Sequence, residues 1–535
     1  MSDAAPPPPA PQPLPLHRAL AYMGAAVVLA LAQGLGQGFV SVNIPQIAGD
    51  LGISQTDASW LMAAYMIPRA ALPMMLIKIR TQYGLRRFAE IGIVAYVLVS
   101  FASVWIDDLR SAIVVQVLSG CASAPLSTLA FMYMLEPLPP QWKMRLGLPM
   151  AMAVLSVGPL LARVISPHLI GDGGLTWVHL TALGLAMASL ALVFRLPLRP
   201  VPHEKVIQPV DFISFALLSF GFGGVIVAFI MGPIYWWTAM PWIGWLLAAA
   251  TAALMTTVVI ELHRKAPLID IRWLATPAML HLTVTLFLFR LILSEQSSGA
   301  PRMFQVLGMA PSQLTTLFAV ICLASLLGGL ACVGWIKPGR EPQYHFVALM
   351  LIAAGAWMDS QATIDTRPEQ MIVSQALIGF AGMLFMPPAM MAGLVAAMKK
   401  GPNYLLSFVI VFICTQTIGG ILGSGLFTTL INWRQALHYQ VLIEQLQSTS
   451  ALTLAEVARR MAGLAPQIPD VMARRAQAIS LIAQDASSQA YVMAYNDAYF
   501  LTFLIAVAAG AALLLHLFRD WLAARLARPQ PEIAT

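Results

Sequence analysis

Charge is scarce in this sequence. Only 10% of its 535 residues are Asp, Glu, Lys or Arg and 59% are hydrophobic, whereas an ordinary soluble domain carries about 25% charged residues. That shortage excludes a water-soluble domain and leaves a polytopic helical membrane protein. Cysteine is scarce too. Cys121, Cys322, Cys332 and Cys414 all lie in apolar runs, which reads as buried packing thiols with neither a disulfide framework nor metal-ligand spacing. The nine histidines are scattered. No nucleotide-binding loop, Ser/His/Asp order or metal cluster is present in the sequence, so no enzyme, cofactor or metal is expected. The net charge of +7 comes mostly from loops beside the membrane and does not imply a nucleic-acid partner. No short apolar segment precedes a small-residue cleavage site, so no removable signal peptide is expected.

Long apolar runs are abundant. No charged side chain lies between Arg18 and Asp50, an interval longer than the roughly 20 residues that cross a bilayer. A polar turn with Asp50, Gly52 and Asp57 follows, then a second apolar run with Trp60 near its start, the depth at which aromatics meet headgroups. This hairpin organises the chain, and the rest repeats it. Apolar spans are expected near 19–44, 57–80, 88–106, 110–135, 146–169 and 175–196, then 211–232 and 240–262, then 277–299, 311–336, 344–360, 371–398, 403–432 and 498–519. The total is about fourteen. Lys and Arg gather in alternate loops, at Arg86 and Arg87, Lys143 and Arg145, Arg264 and Lys265, Lys337 and Arg340, and Lys399 and Lys400. The opposite loops hold Asp50, Asp57, Asp107, Asp108 and Asp172. The positive-inside bias therefore puts both termini in the cytoplasm.

The grouping six, two, six predicts two related halves with an inserted pair. The expected units are a Pro-rich cytoplasmic tail (1–17), an N-terminal six-helix bundle (18–200), two inserted helices (201–272), a C-terminal six-helix bundle (273–521) and a cytoplasmic tail (522–535). Repeated halves place a substrate site at their interface, near the midplane. The stretch 433–497 is not apolar enough to cross. It reads as helical, with a stripe at Tyr439, Leu442, Ile443 and Leu446, and a second helix opened by a Thr453–Glu456 capping box. A third helix follows Pro469. This stretch is either a cap packed on itself or a docking surface.

Charges inside spans are functional candidates by default. Arg69, Arg163, Arg290 and Glu295 are the ones that stand out. Guanidinium does not release its proton, so the arginines can pair with an anion but cannot carry a transported proton. Two readings are open for them: pairing with Glu295, backbone carbonyls or lipid phosphate, or lining a cavity that attracts an anionic substrate. Glu295 is the protonatable group in a span, with a structural ion pair as the alternative. Gly158-Pro159 and Met386-Pro387-Pro388 mark helix breaks, and Gly419-Gly420 marks close helix approach.

Ser41 to Gly52 (SVNIPQIAGDLG), followed by Trp60, resembles the first hairpin of the major facilitator superfamily, and within it the fourteen-helix drug:H+ antiporters of the EmrB/QacA type. Leu138-Pro139-Pro140, Gly379 to Pro387, Thr415 to Gly420 and the tail of the outside loop, Met493 to Phe500, are similar to that family as well. The resemblance implies alternating access between the two bundles in a bacterial inner membrane. It also implies a periplasmic adaptor (membrane fusion protein) and an outer-membrane channel as partners. The charged motifs depart from the pattern. Gly36 stands where the family has an acid in span one, and Gln116 where it has an arginine in span four. Gln116 therefore joins the coupling candidates. The expected function is a proton-coupled multidrug or toxic-compound exporter favouring amphipathic or aromatic organic acids over cations. A non-transporting scaffold or sensor that kept the fold is the alternative.

Overall fold

The computed structural model describes residues 14–170, 174–199, 204–265, 267–337, 339–446 and 450–526. The expected tails therefore fall largely outside the described residues, as do positions 200–203 of the basic linker.

The described chain is almost entirely helical. α1 (Leu16–Val42), α2 (Gln55–Tyr83), α3 (Leu85–Ala102), α4 (Leu109–Leu135), α5 (Leu148–Leu169) and α6 (Thr176–Arg195) form a first group of six. α7 (Pro209–Tyr235) and α8 (Pro241–Leu262) follow. The ninth span is broken into α9 (Pro277–Ile292), α10 (Ser294–Ser298) and α11 (Ala300–Val306). Then come α12 (Thr315–Trp335), α13 (Glu341–Asp359), α14 (Ile372–Lys400), α15 (Pro402–Gln445), α16 (Ala451–Leu464) and α17 (Val471–Leu526). Among the described residues thirteen helices are long and apolar enough to cross a membrane. α13, expected as a further span, falls short of that hydropathy. Its first turns, Glu341 to His345, are polar and dilute its hydropathy. Helices are the form such apolar runs must take, because lipid offers backbone groups no partner. Their ends are set locally. Ser54 accepts from the Asp57 amide at 3.0 Å to cap α2, and Asp108 and Ser111 cap α4. Gly84, at φ 86°, turns α2 into α3 in a conformation that favours glycine.

Close packing uses the small residues. A Cβ on Gly34 of α1 would lie 2.6 Å from the Gly158 Cα of α5. The two halves meet along α5 and α12, where a Cβ on Gly329 would lie 2.7 Å from the Ala153 Cβ. α7 touches both halves: Gly223 packs on Ile67 of α2, and Gly425 of α15 packs on the Phe229 carbonyl. A charge network fixes the inserted pair to α2. Lys78 donates to Asp211 at 2.7 Å, and Arg264 reaches Asp211 at 2.6 Å and Glu261 at 2.8 Å. Both carboxylates are fully buried.

Several expectations need correction. The outside stretch does not stop at the span ends. α15 carries on to Gln445, and the expected third helix is the first part of α17, continuous with the last span. The reason lies in the sequence: no glycine or proline occurs between Val471 and Gly510. The Thr453–Glu456 capping box does not form. α16 begins at Ala451, which puts Thr453 inside the helix, and Glu456 instead takes Arg459 at 2.7 Å and Arg460 at 2.8 Å. Pro159, Pro387 and Pro388 lie within continuous helices. The sharp break falls in the ninth span, which was read as one uninterrupted run. There the polar string Ser294 to Ser298, with Gly299 and Pro301, opens the helix inside otherwise apolar sequence.

Candidate functional site

The in-span candidates fall into three clusters. The first lies among the six N-terminal helices. Arg69 donates to the Tyr65 hydroxyl at 3.0 Å. The Gln33 amide, turned so that its oxygen faces Arg69, accepts from the guanidinium and donates to Ser127. Nearby, a cavity of about 240 Å3 is lined by Gly36, Asn43, Tyr65, Tyr96, Gln116 and His179, with Asp50 also in its wall. Tyr96 donates to the Ala32 carbonyl at 2.6 Å. Its hydroxyl would lie 2.9 Å from a Cβ on Gly36, so a side chain there would collide with it. Gln116 is buried and its Oε1 has no partner among the described residues.

The second cluster bridges the halves. Arg163 of α5 reaches the Ser297 carbonyl of α10 at 3.5 Å and lies 5.0 Å from the centre of the Phe318 ring on α12. A guanidinium over an aromatic face is held by the ring quadrupole without a counter-ion.

The third cluster lies among the C-terminal helices. Arg290 of α9 donates from Nε to the Gln416 carbonyl of α15 at 3.2 Å. Gly419 and Gly420 admit that side chain. Cβ atoms there would lie 3.2 Å from the Arg290 Cβ and 3.1 Å from its Nε. Three candidates read separately from the sequence thus form one contact. Of the partners considered for Arg290, a backbone carbonyl is the one it meets and Glu295 is not, because Ile292 to Ser294 sets the two on different helical pieces. Glu295, on α10, is fully buried and adjoins the carboxyl of Asp359 at the end of α13. Ser374 of α14 donates to Asp359, and Gln375 donates to its other oxygen at 2.7 Å. Tyr499 and Thr502 of α17 complete the surroundings.

Sequence reading missed Asp359, Asp211, Glu261 and Lys78. Asp359 sits at the last turn of its span and Asp211 at the first turn of its own, where a charge reads as interfacial. Only packing shows them buried. A faint signal for Asp359 is the polar Ser374-Gln375 pair, placed inside an otherwise apolar span.

The chain matches the model of the Major Facilitator Superfamily over residues 26–424. It is 24% identical over 260 residues to the fatty acid resistance protein FarB of Neisseria gonorrhoeae, a match that covers 47% of this chain and half the length of that relative. It is 21% identical over 518 residues to the multidrug export protein EmrB of Escherichia coli K12, covering 89% of this chain and 91% of that one. Among solved structures, a POT family transporter in complex with a thioalcohol-conjugated peptide superposes with a TM-score of 0.56 at 12% identity, over 92% of this chain and 96% of that one. At that identity the superposition speaks for the fold alone. The helical order, the paired bundles and the family match together make this chain a multi-pass membrane transporter of the major facilitator superfamily.

Proposed function

We propose that this chain exports amphipathic or aromatic organic acids from the cytoplasm across the inner membrane, drawing on the inward flow of protons. The observation that carries the reading is the state of its three in-span guanidinium groups. Arg69, Arg163 and Arg290 bond to a phenol, an amide and backbone carbonyls, and among the described residues none forms an ion pair. A desolvated cation with neutral partners keeps attraction to spare for an anion. A cationic substrate would meet repulsion at the same places.

The moving units in this reading are the bundles 18–200 and 273–521, with 201–272 riding between them and Gly158, Pro159, Pro387, Gly419 and Gly420 permitting the movement. Gln116 supplies a neutral contact in the N-terminal cavity, and Glu295 takes the proton. The outside helices of 433–497 dock a periplasmic adaptor, which passes the acid to an outer-membrane channel. The relatives named for multidrug export and fatty acid resistance support this direction and substrate class.

The test is efflux of a labelled fatty acid and a labelled aromatic acid from cells expressing the chain with its adaptor. Efflux should fall when an uncoupler is added and when Arg290→Gln replaces the wild type. Export of a cationic dye with no export of either acid would contradict the reading. No efflux of any probe from correctly inserted protein would favour a scaffold.

A further inference from the structure

We propose that Glu295 and Asp359 form one proton-binding site, with a single proton shared across two carboxyls. This deepens the exporter reading and rests on it only for what the proton drives.

The argument starts from burial. Glu295 is 0% exposed and Asp359 2% exposed. Two carboxylates side by side in such a place cannot both be ionised, because each disfavours the other's charge and neither is solvated. The hydrogen bonds then say where the proton lies. Asp359 has two donors, Ser374 Oγ and Gln375 Nε2, one on each oxygen. That is the environment of a carboxylate. Neither Glu295 oxygen has a hydrogen-bond partner by geometry among the described residues, because the neighbouring Thr502 hydroxyl donates to the Ala498 carbonyl instead. That is the environment of a carboxylic acid, whose own O–H needs an acceptor. The adjoining Asp359 supplies one. The proton therefore rides on Glu295, hydrogen-bonded to Asp359, and the pair carries a single negative charge.

Among the described residues no cation answers that charge. Arg290 on α9 turns to the Gln416 carbonyl, and Arg302 on α11 donates to Thr428 of α15 at 3.0 Å. α15 otherwise presents Ser424, which bonds Ser298 of α10 at 2.5 Å. α17 presents Tyr495, Tyr499 and Thr502, and α14 presents Ser374 and Gln375. Losing the proton in this arrangement would leave two bare charges in contact. Release therefore requires the pair to part or water to enter. Glu295 stands on the short piece between the breaks at Leu293 and Gly299, while Asp359 ends an unbroken helix. Movement of the piece against α13 would separate the two carboxyls. Proton release is in this way tied to a change of conformation, which coupled transport demands. The pair also lies far along its spans. Glu295 follows Pro277 by eighteen positions, about 27 Å at helical rise, so the site lies toward the acidic-loop end of its span, the end that the positive-inside bias assigns to the exterior.

Infrared spectroscopy of the purified full-length protein tests this through the C=O band of a buried carboxylic acid. The wild type should show the band at neutral pH, Glu295→Gln should abolish it, and Asp359→Asn should shift it by changing its hydrogen-bond acceptor. Ser374→Ala keeps both carboxyls and should shift the band as well, so the test stands even if Asp359→Asn folds poorly. A band that survives Glu295→Gln, or one left unmoved by both Asp359→Asn and Ser374→Ala, overturns the shared site. Efflux separates the two readings. The expected band changes together with acid efflux that ignores an uncoupler would remove proton-driven export and leave the pair standing. Uncoupler-sensitive efflux with an unmoved band would remove the pair and leave the exporter.

Discussion

The two halves of this transporter treat buried polarity in opposite ways. In the N-terminal six helices the polar groups around Arg69 are amides and phenols, and Arg163 of α5 rests on the Phe318 ring and the Ser297 carbonyl. Gln33 and Tyr65 answer the cation, Tyr96 donates to the Ala32 carbonyl, the Gln116 Oε1 has no partner among the described residues, and Gly36 gives up its space to the Tyr96 hydroxyl. In the C-terminal helices two carboxyls are buried against each other with no cation on them among the described residues. The difference teaches where proton chemistry can reside. A tyrosine or an amide positions a substrate without changing charge near neutral pH, whereas a buried carboxyl pair can hold a proton and release it when the two carboxyls part. Gly36 stands where the family resemblance puts an acid in span one, and the proposed proton site lies in the other bundle.

The sharpest way to break the comparison is to neutralise one group in each half. Glu295→Gln should reduce proton-driven acid efflux to background, while Gln116→Ala should change apparent affinity and leave the response to an uncoupler intact. Transport assays of the two variants in one membrane preparation decide it. An uncoupler response lost in Gln116→Ala and kept in Glu295→Gln would reverse the assignment. The next effect concerns the inserted pair, which joins the halves. Asp211 is buried between Lys78 and Arg264, so Asp211→Ala should lower stability by about 3–5 kcal/mol, the range for orphaning a buried ion-pair partner. Thermal unfolding in detergent measures it. Within the N-terminal half, Gly34→Val should cost about 1–3 kcal/mol by overpacking, because its Cβ would strike the Gly158 backbone.

How much of this was legible in the sequence follows from where each signal lives. The spans, their grouping and the family resemblance are written in runs of apolar residues and in loop arginines, which are local features. So is Arg69, whose charge interrupts such a run. The carboxyl pair was half legible. Glu295 lies within an apolar span and declares itself, but Asp359 lies at a span end and becomes a buried acid only when α13 packs on α14 and α17. The break in the ninth span was missed because Ser, Gln and Gly dilute hydropathy without abolishing it. The extension of α17 beyond the membrane was missed for the reverse reason. Hydropathy changes at its membrane entry, while helix propensity does not.

The smallest expected effect lies outside the membrane. Hydrogen bonds from Arg459 and Arg460 hold the Glu456 carboxyl well below its ordinary value, at about 2. Because its folded value is depressed, its contribution to holding α16 is present above the ordinary carboxylate value of about 4.3. That contribution fades as pH falls from there toward about 2. Hydrogen exchange should therefore show α16 loosening across that acid range while the spans remain protected. Glu456→Gln should remove the pH dependence.

The most direct test of the whole account is transport by purified protein in liposomes under an imposed proton gradient, with a labelled fatty acid as substrate. The account predicts acid movement against the direction of proton flow in the wild type, and loss of the gradient's effect in both Glu295→Gln and Asp359→Asn. Gradient-driven transport that persists in both variants would contradict it and move the proton site elsewhere.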